Sequence, residues 1–136
     1  MPRRQPGSLR RRVRVFRSAW IRYRDIPGLS GPANAAVRQL EQQRWLPGAA
    51  AAAVSLWSMH VYGSQRRWRP WEAEFTCSCC GEGSARERLD EALAMLPRQA
   101  ARELRTVVDR LDDALLSRTY HDPHLPDDVA WWRRRC

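Results

Sequence analysis

Between Arg98 and Arg118 the apolar residues Leu104, Val107, Val108, Leu111 and Leu115 recur at helical spacing, with arginines and acids at the other positions. A strand would alternate with a period of two, so this stripe reads as one long amphipathic helix that must bury a face against the rest of the chain. Pro97 separates it from a second apolar series, Leu89, Leu93 and Leu96, which makes a kinked pair or a hairpin the expected arrangement. Ser84 followed by Glu87 has the form of a capping box, so that helix is expected to span 84–96.

The remaining cover is also helical in pattern. Ala35 to Leu46 carries Val37, Leu40 and Trp45 or Leu46 on one side, and Pro47-Gly48 closes it. The Ala-rich stretch from Ala49 places Val54, Trp57 and Val61 or Met59 as its larger contacts, with Gly63 as the expected cap and its small side chains suited to close packing. Pro27, Gly28, Gly31 and Pro32 read as a loop. Upstream, Val13, Phe16, Trp20 and Tyr23 fall at i, i+3, i+7 and i+10, with Arg11, Arg14, Arg22 and Arg24 away from that face; Arg12 to Phe16 also alternates like a strand, but the helical pattern is longer.

These elements predict a mainly α protein: a small helical domain with a Cys-bearing turn and irregular N- and C-terminal segments. The 136 residues suffice for one domain, a size that buries roughly two-thirds of its unfolded surface without staples. Residues 1–9 read as a disordered basic arm and 10–136 as one helical domain, with a basic half 10–70 and a second part 71–136 holding the Cys turn and the helical pair. The tail from Tyr120 lacks periodicity and is expected to pack along the helices through Trp131 and Trp132.

All 24 cationic residues are arginine, as a GC-rich coding sequence alone would produce. Codon usage does not explain their placement. Residues 1–70 hold 14 Arg against Asp25 and Glu41, while 71–136 hold 10 Arg against 13 acids. A basic half of this kind seeks phosphate or an acidic partner.

The chemically specific feature is Phe75-Thr76-Cys77-Ser78-Cys79-Cys80-Gly81. Its form, aromatic-x-Cys-x-x-Cys-Gly, resembles over seven residues the knuckle that supplies two ligands in zinc ribbons. Two intervening residues let both thiolates reach one metal at about 2.3 Å, and the following Gly tolerates a positive φ. Cys77 and Cys80 are the expected pair and Cys79 is spare. His121 and His124, in His121-Asp122-Pro123-His124, would complete a Cys2His2 zinc site, with His60 and Cys136 as rival ligands. An antiparallel helix pair would bring residues near 120 back past the knuckle, overshooting by about 10 Å.

Three of the four cysteines lie within four residues, which does not suit the spaced disulfides of secreted domains; a reducing, cytoplasmic setting is expected. Arg10–Arg12 resembles a twin-arginine signal, but no apolar core follows it directly. The apolar run Ala49 to Tyr62 is shorter than the ~20 residues of a membrane span, so no transmembrane segment is expected.

Cys80-x5-Arg86 is similar to the phosphate loop of cysteine-dependent phosphatases. Glu82 inside the loop would repel phosphate, Glu87 stands where that family has Ser or Thr, and no βαβ series supplies the sheet. The expectation is therefore a non-enzymatic protein. Arg10, Arg11, Arg12, Arg14 and Arg17 offer phosphate contacts, and Arg66, Arg67 and Arg69 surround Trp68, which could stack on unpaired bases. Nucleic acid is the leading expected partner, in a regulatory role; the alternative is an assembly factor whose Arg and Trp surface docks an acidic protein.

Overall fold

The computed structural model describes residues 22–63 and 82–135, with the backbone alone for 82–84. Among them are four α-helices and no strand: α1 Gly31–Arg44, α2 Ala49–Tyr62, α3 Glu82–Met95 and α4 Arg98–Arg118, followed by a 3-10 turn at Trp131–Arg134. The mainly helical expectation holds. The Cys turn, the basic arm 1–9 and the helix expected from Val13 fall outside the described residues, except that Arg22 and Tyr23 are described and are not helical, with Tyr23 exposed and not on an inner face.

α1 begins four residues before the expected Ala35. Ser30 is its N-cap, its hydroxyl accepting from the Ala33 N–H at 3.3 Å, and Pro32 lies in the first turn, where a missing N–H costs nothing. Gly31-Pro32 is thus a helix start, not the end of a loop. Asn34 holds the preceding turn from within the helix: its Oδ1 accepts from Ile26 N–H at 2.8 Å and its Nδ2 donates to Leu29 O at 3.3 Å.

Gly48, in the left-handed region at φ +81°, is the N-cap of α2 and has no side chain with which to cap it. Glu41, fully buried in the last turn of α1, supplies the acceptor instead. Its two carboxylate oxygens take the N–H groups of Gly48 (2.8 Å) and Ala50 (3.1 Å), placing a negative charge at the positive end of α2.

α2 packs most extensively on α3. Both helices carry small buried residues, Ala50, Ala51 and Ala53 on α2 and Ala85 and Ala92 on α3, which suit a close approach. The expected Gly cap differs in kind: Gly63 follows α2 with φ −71°, outside the left-handed region, and Arg118 Nη1 donates to Val61 O at 2.9 Å to satisfy a carbonyl of that last turn.

α3 starts at Glu82, so Ser84 lies inside its first turn and is not the N-cap that a capping box requires. Leu96-Pro97 then turns the chain into α4, whose bounds are those expected from the stripe. The two helices form an antiparallel hairpin, because Arg86 early in α3 meets Asp112 late in α4. The core joins Ile26, Val37, Leu40, Trp57, Val61, Leu89, Leu93, Leu104, Val108 and Leu115. Of the residues expected inside, Met59 and Leu46 are exposed and Val107 is half-buried.

The tail returns along the bundle as expected, with Trp131 and Trp132 packed against the core and set edge to face at 5.9 Å. Arg133 pairs with Glu87 of α3 at 2.6 Å. Arg135 lies across from His121 in an isolated antiparallel bridge and donates to Leu116 O and Thr119 O, closing the carboxyl end of α4. No helix among the described residues is long and apolar enough to cross a membrane.

Candidate functional site

Of the residues expected to hold zinc, only His121 and His124 are described; Cys77 and Cys80 lie outside the described residues, as do the rival Cys136 and the spare Cys79. Both histidines are exposed in the turn that follows α4. Asp122 shapes that turn: its N–H donates to Arg134 O at 2.7 Å and its Oδ1 accepts from the His124 N–H at 2.9 Å. His60, the rival ligand, stacks on Trp57 with ring centroids 5.0 Å apart. Among the described residues no group of three metal-ligating side chains occurs.

The expected nucleic-acid contacts Arg10, Arg11, Arg12, Arg14, Arg17, Arg66, Arg67, Trp68 and Arg69 all lie outside the described residues. The structure does show how charge divides. Residues 22–63 and 82–135 carry 14 Arg and 13 acids, whereas 1–21 and 64–81 carry 10 Arg and only Glu72 and Glu74. The helical frame is close to neutral. Several of its arginines are bound into the fold: Arg38 to Asp25, Arg133 to Glu87, Arg134 to Asp127, and Arg118 and Arg135 on carbonyls at the ends of α2 and α4.

The most concentrated polar arrangement is one that the sequence does not announce. Arg86, 6% exposed, places Nε at 3.1 and 3.2 Å from the two oxygens of Asp112 and Nη2 at 2.8 Å from Oδ2. Nη1 reaches Asp90 at 2.5 Å, and Trp57 Nε1 donates to Asp112 Oδ1 at 2.9 Å. Trp132 stacks beneath the guanidinium at 4.8 Å. Burial opposes the charge on Arg86, but the hydrogen bonds and charges of Asp112 and Asp90 outweigh it and raise its pKa above the ordinary value.

Chemically the cluster is closed. The carboxylate of Asp112 accepts from a fork and an indole, and the fork is divided between two carboxylates and a ring face. In a phosphate loop the arginine would aim at bound oxyanion; here Arg86 is turned inward onto Asp112. The i,i+4 pair Arg86–Asp90 is visible as a sequence spacing, but the partner 26 residues away is not.

No protein-family model, curated protein or solved structure matches this chain.

Proposed function

We propose that this is a small zinc-binding, Arg-rich protein that associates with nucleic acid in a regulatory role, through Arg10, Arg11, Arg12, Arg14 and Arg17 and through Arg66, Arg67, Trp68 and Arg69. The observation that carries the reading is the partition of charge. A near-neutral helical frame, with several arginines tied into its own structure, adjoins two segments that hold ten arginines against two acids. Those segments also contain Phe16, Trp20, Trp68, Trp71 and Phe75, and arginine interleaved with aromatics suits phosphate neutralisation combined with base stacking.

Zinc fits the donor set, since two thiolates and two imidazoles form a closed tetrahedral shell without a catalytic position. Chain tethering supports a clasp made by Cys77, Cys80, His121 and His124. Cys80 precedes Glu82, the first residue of α3, by two positions in the chain. The segment holding the cysteines leaves from Gly63 beside the carboxyl end of α4, where Arg118 meets Val61 O, and His121 follows three residues later. Glu87 and Arg133 tie the returning tail to the first turns of α3.

One purification tests both parts. Retention on DNA or RNA should fall linearly in log K against log salt, and replacing Arg10, Arg11, Arg12, Arg14 and Arg17 with Gln should flatten that slope by up to about 4. Zinc should accompany the chain near one ion per molecule and be lost in Cys77→Ser or Cys80→Ser. A slope unchanged by the five substitutions, or retention on polyglutamate but not on nucleic acid, overturns the partner; a chain purified without chelator and free of zinc overturns the clasp.

A further inference from the structure

Residues 22–63 hold four arginines and two acids, and both acids are already engaged. Asp25 pairs with Arg38, and Glu41 lies buried with its two oxygens on the N–H groups that open α2. The other three arginines, Arg22, Arg24 and Arg44, are exposed, and among the described residues their guanidinium groups meet no carboxylate or carbonyl. The fold gathers them where α1 turns into α2. A Cβ on Gly48 would stand 2.5 Å from Arg22 O and 3.9 Å from Arg24 Cγ, and Arg44 ends α1 four positions before that glycine. A fourth arginine reaches the junction from α3: the Arg88 guanidinium lies over the Trp45 ring at 5.4 Å. Trp45 packs against the core, so it fixes that charge in place while taking up none of its N–H donors. Glu91, three residues along α3, forms no ion pair with Arg88 among the described residues.

We propose that this junction, with Arg22, Arg24, Arg44 and Arg88, is a phosphate-contact face of the helical frame that holds the backbone of a nucleic acid. Its partner rests on the reading given above; its place and its four residues are new to it. A guanidinium fork matches phosphate oxygens, and four forks without carboxylate partners, carried on ordered backbone, favour a row of phosphates over a single anion. The sequence leads to the same place. From Arg10 to Arg24 seven arginines run without an acid, and Arg22 and Arg24 bring the end of that run onto the frame. The unpaired arginines of α4 differ, because Arg102, Arg105 and Arg110 are interleaved with Glu103, Asp109 and Asp113. They also lie elsewhere: Glu103 meets Ser30 at the start of α1, a helix about 20 Å long with Arg44 at its other end.

Salt dependence of binding to a DNA duplex and to oligothymidylate, read by fluorescence anisotropy on the full chain, tests this. Each phosphate contact contributes about 0.9 to the slope of log K against log salt on a duplex and about 0.7 on a single strand. Replacing Arg24, Arg44 and Arg88 with Gln should therefore flatten the slope by about 2–3 and leave the helical circular dichroism unchanged. Replacing Arg102, Arg105 and Arg110 with Gln makes the same change in net charge and should flatten it by less than about 1. If loss of Arg88 from Trp45 disturbs folding, Arg24→Gln with Arg44→Gln, both at exposed positions, should still flatten it by about 1–2, and no change in that pair overturns the proposal. Flattening below about 1 by the first triple, or equal flattening by both triples, also overturns it. If substitution of Arg10, Arg11, Arg12, Arg14 and Arg17 then still lowers the slope, the nucleic-acid reading stands without this face. A wild type that binds neither DNA probe overturns both. Binding to polyglutamate that the first triple weakens, with DNA binding unchanged, assigns the face to an acidic protein and overturns the proposal.

Discussion

Replacing Asp112 with Ala removes the acceptor of three Arg86 contacts and of the Trp57 indole in one step. Arg86 would remain buried with only Asp90, which is half-exposed and meets one nitrogen. Breaking a buried ion pair from one side costs about 3–5 kcal/mol, because the remaining charge has lost its compensation. An unpaired buried N–H adds about 1–3 kcal/mol. The two costs overlap, and Asp90 retains part of the fork's bonding, so the expected loss is about 3–4 kcal/mol, a large share of the 5–15 kcal/mol typical of a domain. Asp112→Asn keeps an acceptor for the indole and gives up the charge, with a smaller loss of about 2 kcal/mol. Urea unfolding followed by helical circular dichroism measures both. The pair Arg86→Met with Asp112→Leu should recover most of the loss, because it removes both charges and fills the space. A loss below about 1 kcal/mol in Asp112→Ala would mean that Asp90 and solvent suffice for Arg86, and the reasoning from burial would fail.

Two further substitutions probe the frame. Gly48→Ala should cost about 2 kcal/mol or more, since φ is positive there and the new methyl meets the Arg22 backbone; thermal unfolding reads it. Glu103 accepts from both the N–H and the hydroxyl of Ser30, joining the cap of α1 to α4, and these bonds with that of Gln99 lower its pKa. A carboxylate lowered on folding contributes above its unfolded pKa and loses that contribution as pH falls through its folded value. Wild type should therefore be more stable than Glu103→Gln at neutral pH, and acid titration of unfolding midpoints should bring the two together below the ordinary carboxylate range. A difference constant with pH would rule that linkage out.

The long stripe of α4 was legible because one buried face over 21 residues leaves a strong period, and Leu104, Val108, Leu111 and Leu115 all lie inside. The start of α1 was less so: Gly31-Pro32 has the composition of a loop, and only the Ser30 hydroxyl reaching Ala33 makes it a first turn. Ser84 failed as a cap for the opposite reason, because a motif of local spacing says nothing about whether the helix continues upstream. Glu41 and Asp112 were illegible as buried acids. Each is held by groups 7 to 55 positions away, and no sequence spacing marks such a partner. For the candidate site, the two histidines are now placed after α4, and the cysteines and the basic residues named with them lie outside the described residues.

The same contacts give the arginine bias a physical meaning in the frame. Arg86 divides three nitrogens between two carboxylates while its plane lies on Trp132, and Arg135 spreads over Thr119 and two carbonyls. A lysine ammonium has one nitrogen and no plane, so it could not meet either set at once. A coding bias would supply arginine everywhere, but in the frame the guanidinium geometry is used.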